Sequence, residues 1–242
     1  MKVFVVSINQ NILSQLYPLF WILNLEEQNR FLMLKNDEVK RQYLISKILR
    51  RYFLSFYCNW RVAPNDWTFI TLKNDKPALS AEFGHLKLQF NAAHCSDAFT
   101  IAIQENFPVG VDIEPVNCMI DTMLATSFST HKEQMETNRL PLENVRNHWV
   151  TLWTLKEAYV KYLGIGMEAD FKQVEISASK VKLLHSDYSN PEEVILHNTS
   201  FELGGSAFSV STASYKDSVP TSFAPEIQLY NTGLESGNRF IQ

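Results

Sequence analysis

The spacing of apolar and polar positions divides the chain into strand-like and helix-like stretches. Val3 to Ile8 has the short apolar run of a strand and stops at turn-forming polar residues. Two long stretches, Asp37 to Tyr57 and Glu143 to Leu163, carry apolar residues at three- and four-residue spacing, and the second stops at Gly164. That spacing puts one face of a helix against a core. A shorter helix is predicted over Leu25 to Leu34, and Ser129 or Thr130 is placed to cap another. Strands are predicted at Trp67–Leu72, Leu86–Asn91, Phe99–Gln104 and Val109–Glu114. More follow at Val174–Ser177, Val181–His185, Val194–His197, Phe201–Leu203 and Ala207–Thr212. The order strand, long helix, strands thus occurs twice. Ala98-Phe99-Thr100-Ile101 has an echo in Ala207-Phe208-Ser209-Val210. On the residues alone, the echo reads equally as coincidence or as two similar α+β halves.

Composition narrows the class. The 242 residues are 45% hydrophobic and 20% charged, enough apolar material for a real core. The net charge of −4 argues against a general nucleic-acid binder, so any bound anion needs a local basic cluster. Cys58, Cys95 and Cys118 are too few and too scattered for a disulfide framework or a zinc knuckle, and they read as reduced cytoplasmic thiols. No apolar run is long enough to span a membrane, and the N-terminus lacks the apolar core of a signal peptide.

Four constellations could carry chemistry. In Val109-Gly110-Val111-Asp112-Ile113-Glu114, the alternation of a strand puts Gly110, Asp112 and Glu114 on one face. Two carboxylates on one face suit Mg²⁺ or Mn²⁺, although the same pattern also suits a solvent-facing strand edge. Gly110 leaves room for something to approach the backbone. On the second long helix, Lys156 falls within an apolar stripe and must reach water or an anion, while Glu157 and Lys161 share a face as an i,i+4 pair. On the first long helix, Arg41 projects to the edge of the apolar stripe, whereas Lys40, Lys47 and Arg51 read as a solvated face. His94 follows a strand in Phe90-Asn91-Ala92-Ala93-His94 and could donate to a phosphate. No Walker loop, complete dinucleotide fingerprint, zincin or nucleophile-elbow motif is present.

Taken in order, these pieces resemble the surfactin-synthetase type of 4′-phosphopantetheinyl transferase. The carrying residues are Asp75-Lys76-Pro77, Phe90 to His94, Gly110 to Glu114, and Trp153-Thr154-Leu155-Lys156-Glu157-Ala158-Tyr159-Val160-Lys161. The likeness spans about residues 1 to 215. It implies an α+β fold: a pseudo-dimer of two similar halves, residues 1–105 and 106–215, with the active site in the cleft between them. Residues 216–242 would form a tail, loosely held. The resemblance implies transfer of the 4′-phosphopantetheine arm of coenzyme A to a serine of an acyl or peptidyl carrier protein, releasing 3′,5′-ADP. The protein would be an active monomer in the cytoplasm, with neither nucleic acid nor membrane as partner. Asp112, Glu114 and Glu157 match the family's metal-binding carboxylates, and Glu157 also its proposed general base. Lys156 and Lys161 match basic residues at the diphosphate, with Lys161 catalytic as well. Arg41, Lys76, Asn91 and His94 match coenzyme A contacts.

There are departures. Ala93 and Cys95 replace the serines usual beside the histidine, and Asp75 replaces the glycine that usually precedes the lysine. The methionine-rich segment Met119 to Phe128, with Lys132 just beyond, reads either as core or as a carrier-docking surface that Lys132 could assist by steering. Two rival classes remain. One is an inactive module of the same fold that binds coenzyme A or a carrier protein. The other is a metal-dependent nuclease, which the net charge of −4 disfavours.

Overall fold

The structure is a computed structural model and describes residues 1–9, 11–166, 169–177, 180–183, 193–218 and 225–230. Along the chain, β1 (Lys2–Ser7) leads into three helices, α1 (Ile12–Leu16), α2 (Leu25–Met33) and α3 (Asp37–Tyr57). Strands β2 (Phe69–Thr71), β3 (Pro77–Leu79), β4 (Leu88–His94), β5 (Ala98–Glu105) and β6 (Val109–Pro115) follow. Next come α4 (Thr122–Phe128), α5 (His131–Thr137) and α6 (Leu142–Leu163). The remaining strands are β7 (Val174–Ser177), β8 (Lys180–Leu183), β9 (Val194–Leu203), β10 (Ser206–Tyr215) and β11 (Glu226–Tyr230).

Local chemistry sets the helix starts. Asn24 and Glu27 form a reciprocal capping box at α2, and Asn36 accepts from Val39 N at the head of α3. Thr130 is the cap that the sequence offers for α5, paired reciprocally with Glu133. α6 ends where Gly164 turns left-handed at φ 70°.

Two sheets dominate, ordered β11-β1-β5-β4 and β6-β10-β9. In both, the strand before the long helix pairs antiparallel with the last strand of its unit, and that strand pairs antiparallel with the one before it. The sequence echo falls on β5 and β10, which hold the same position in the two sheets. Alternation along β1 explains the layering. Phe4 and Val6 join the α3 core with Leu44, Ile48 and Phe53, whereas Val3 and Val5 face the second sheet through Val109, Val111, Ile113, Phe208 and Val210. The order of layers is therefore α3, first sheet, second sheet, α6.

Three expectations need correcting. The two short strands predicted at Val194–His197 and Phe201–Leu203 are one strand, because the hairpin β9–β10 pairs without a break from Val194 to Leu203. Glu226–Tyr230 is no loose tail: it adds to β1 as a parallel edge strand, with Tyr230 against Phe4 and Phe53. Arg51 is not on a solvated face either, being 1% exposed and bound to Glu27 at 2.6 Å. The predicted strand ending at His185 is seen as β8, and positions 184 and 185 lie outside the described residues. Among the described residues no helix is long and apolar enough to cross a membrane.

The space at Gly110 is filled by α6. A Cβ there would lie 1.9 Å from Ala158 O and 2.5 Å from Tyr162 N, inside the helix backbone. Gly110→Ala must push α6 off β6, an overpacking that costs about 1–3 kcal/mol or more. We expect urea unfolding to show that loss; a variant as stable as the parent would mean that α6 shifts at no cost.

Candidate active site

β6 and α6 meet at Gly110, and the polar face of each continues past that contact. Asp112 is buried, and its Oδ1 accepts from Lys161 Nζ at 2.6 Å. Lys161 Nζ also stands 3.7 Å from Glu157 Oε2. Glu114 lies two residues along β6, near enough for the charge of Lys161 to act on it, while Asp112 and Glu157 share that lysine directly. Asp112 Oδ2 is buried with no hydrogen-bond partner.

The charge balance is visible in the proton affinities. Burial pushes the Glu114 carboxyl up to about 7, and the neighbouring Asp112 pushes the same way against Lys161. Burial also raises Asp112 and Glu157, again against the pull of Lys161. Burial works against a charged Lys161, but Asp112 and Glu157 outweigh it and raise its pKa. Burial is the largest cause in each case, so each carboxylate gains from a cation brought beside it.

That demand is a test of fit for a divalent cation. An unpartnered buried carboxylate oxygen and oxygen-only donors fit Mg²⁺ or Mn²⁺ in chemistry. In geometry the fit is incomplete, because among the described residues no three His, Cys, Asp or Glu side chains are close enough together to hold a metal ion. Lys161 stands among the carboxylates instead.

The first unit brings further residues to this seam. The turn before β3 docks on the C-terminal end of α6: Asn74 Nδ2 donates to Gly164 O at 3.2 Å and Ile165 O at 2.7 Å. Lys76 Nζ donates to Lys161 O at 2.7 Å, a cation at a helix C-terminus. The left-handed residue of that turn is Asn74, at φ 60°, so Asp75 in the glycine position carries no backbone strain. His94 is exposed at the end of β4, close enough to lower the pKa of Asp112. Arg41 donates to Ser96 O at 3.4 Å, just beyond His94, and to Glu38 at 3.2 Å. Cys95 is half-buried, and burial pushes its thiol up to about 11, which leaves it protonated.

Two expected cofactor contacts sit elsewhere. Lys156 is fully buried on another side of α6 and donates to Glu133 Oε2 at 2.8 Å, Phe128 O at 2.9 Å and Phe171 O at 3.0 Å. With its three protons taken by the protein, it has none for a diphosphate. Its anion is Glu133, which also accepts from Thr130 N at 2.7 Å and Ile176 N at 2.8 Å. Asn91 is buried too, and its Oδ1 accepts from Val111 N at 3.0 Å, tying β4 to β6 one residue before Asp112. It positions the strand that carries the carboxylates. Lys132 is exposed and forms an ion pair with Glu175 at 2.9 Å.

The fold and site define an α+β protein with an acidic, cation-seeking cluster at the seam of two units. Residues 108–203 match the model of the 4′-phosphopantetheinyl transferase superfamily. The chain is 26% identical to 4′-phosphopantetheinyl transferase gsp of Aneurinibacillus migulanus, over 71% of this chain and 69% of that protein. It is 28% identical to 4′-phosphopantetheinyl transferase HetI of a Nostoc species, over 68% of each. Among solved structures, the holo-[acyl-carrier-protein] synthase of Thermotoga maritima is similar at TM-score 0.34 and 23% identity, over 45% of this chain and 62% of that one, just under two thirds of its length. That of Bacillus anthracis, in complex with CoA (3′,5′-ADP), is similar at TM-score 0.33 and 25% identity, over 45% and 94%. The likeness to 4′-phosphopantetheinyl transferases thus covers residues 108–203 by the family model and about two thirds of the chain by these two relatives.

Two outcomes follow from the buried charges. Lys156→Met leaves Glu133 buried without its cation, and breaking such a pair costs about 3–5 kcal/mol. Chemical unfolding should show that loss, and Glu133→Gln in the same chain should recover part of it; a loss within error would mean that the pair is dispensable. Glu114 has its folded pKa raised from 4.5 to about 7, so it takes up a proton on folding within that window. Its contribution is intact at acid pH and is lost as pH rises through about 7. Without added metal, the melting temperature of the parent should therefore fall relative to Glu114→Gln between pH 5 and pH 8. A constant gap would show that Glu114 titrates normally.

Proposed function

We propose that this chain transfers the 4′-phosphopantetheine arm of coenzyme A to a serine hydroxyl of an acyl or peptidyl carrier protein. The observation that carries the reading is the Asp112–Lys161–Glu157 cluster beside Glu114, with Lys76, His94 and Arg41 of the first unit facing the same seam. We read the two units as halves of a pseudo-dimer with the site in the cleft between them. One chain then supplies the whole site, which supports a monomer. The three cysteines are free, which supports a reducing, cytoplasmic setting.

In the reaction the carrier's serine oxygen bonds to the phosphorus that bears the pantetheine arm. The bond from that phosphorus to the bridging oxygen breaks, and its electrons leave with 3′,5′-ADP. Glu157, whose proton affinity is raised by burial and by Asp112, takes the hydroxyl proton. Lys161 and Lys76 supply fixed positive charge toward the diphosphate, while His94 and Arg41 hold the nucleotide end. Asp112, Glu114 and Glu157 would hold Mg²⁺ or Mn²⁺, whose charge offsets that of the diphosphate oxygens.

The carrier has a surface suited to it on α4 and the segment just before it. Ala125 and Phe128 are buried, whereas Met119 is 77% and Met123 83% exposed, so these two methionines are not core. Exposed methionines adapt to varied apolar partners.

Intact-mass analysis of apo carrier proteins, incubated with this protein, coenzyme A and Mg²⁺, is the test. The carrier should gain the phosphopantetheine mass with the parent and lose that gain with Asp112→Ala. Met123→Glu should raise the KM for carrier without lowering the melting temperature. No mass gain on any fatty-acid, polyketide or peptide carrier would overturn the reading in favour of a binding module.

A further inference from the structure

Lys161 is where a metal ion would be expected. Its ammonium lies 2.6 Å from Asp112 Oδ1 and 3.7 Å from Glu157 Oε2, and the other Asp112 oxygen is buried and unpartnered. Glu114 adds a third carboxylate to the same cluster. Carboxylates this near one another without a cation repel in this partly desolvated setting. The groups facing the ammonium come from β6, through Asp112 and Glu114, and from α6, through Glu157. The side chain is nonetheless 29% exposed, so it has a path to solvent. Its backbone is fixed: Lys161 O accepts from Lys76, and Gly110 pins the preceding turn.

We propose that Lys161 is a tethered counter-cation that holds the carboxylate cluster together in the metal-free protein and is displaced from Asp112 when a divalent cation binds. Entry of the cation and release of the ammonium are then one event. The free protein keeps its acidic cluster folded without metal, and the lysine becomes available to an incoming phosphate only once the carboxylates have another partner. The structure carries this in two ways: the lysine stands 2.6 Å from Asp112 and 3.7 Å from Glu157, between two of the proposed ligands, and the second Asp112 oxygen is buried without a partner.

The inference rests on Asp112, Glu114 and Glu157 being cation ligands, and the test separates the two claims. The probe is Mn²⁺ alone, added to the full chain without coenzyme A and followed by electron paramagnetic resonance and calorimetry. Lys161→Met keeps the stem and removes the charge; Lys161→Gln is the second variant. Both should bind Mn²⁺ about tenfold more tightly than the parent, because a competing charge in direct contact has gone. Both should melt lower than the parent without metal and regain that loss when Mn²⁺ is added. If either is unfolded without metal, Mn²⁺ should refold it, and failure to do so overturns the proposal. Equal or weaker Mn²⁺ binding by the variants overturns the counter-cation role and leaves the ligand assignment standing. Absence of Mn²⁺ binding in parent and variants alike overturns both.

Discussion

The site depends on one close approach, that of α6 to β6 at Gly110. No side chain separates the strand from Ala158 O and Tyr162 N. A helix held at that distance presents its next turns at a fixed height above the strand. Residues i−1 and i+3 of Ala158 are Glu157 and Lys161, which land beside Asp112, two residues along from the glycine. The glycine is thus a distance setting: any larger residue would lift the helix and open the contact by which Asp112 and Glu157 share one lysine.

The same helix carries two lysines with opposite environments. Lys161 faces the seam and touches solvent, with a contact that can be exchanged. Lys156 faces away and is saturated by three acceptors, one of them a buried glutamate that also satisfies two backbone amides. The helix is enclosed on one side by the second sheet and on the other by α4, α5 and β7, so every residue from Thr154 to Val160 is buried. Burying charge on both sides is costly unless each is paired, and both are. The inner pair contributes rigidity, since it joins α6 to the start of α5 and to β7, while the outer one contributes adjustability.

Much of this was legible in the sequence where periodicity was strong. α3 starts and ends where the pattern puts it, and the face shared by Gly110, Asp112 and Glu114 follows from alternation alone. The pairing of Glu157 with Lys161 follows from their spacing. What escaped depended on contacts between distant parts of the chain. That Lys156 meets an anion was readable from its place in the apolar stripe; that the anion is Glu133, 23 residues earlier, was not. Asn74 gave no sign that it binds the end of α6, although the two glycines at 164 and 166 could have suggested a close approach: a Cβ on Gly166 would lie 2.7 Å from Asn74 Cβ. The role of Asn91 was hidden because a motif match says that a residue matters without saying what it touches.

The parallel strand β11 has a consequence for how the protein is made. It runs beside β1, the first strand, yet is drawn from residues 226–230, after the whole second unit. The sheet of the first unit therefore lacks its edge while that unit leaves the ribosome, and β1 keeps an open row of amides and carbonyls until β11 emerges. The second unit must be threaded out, and its own hairpin closed, before Tyr230 can reach Phe4 and Phe53. Final consolidation of the core around β1 is thus deferred until residues 226–230 have been made. A premature stop between β10 and β11 would leave a chain with every proposed site residue present and an unsealed sheet edge, open to pairing with another copy.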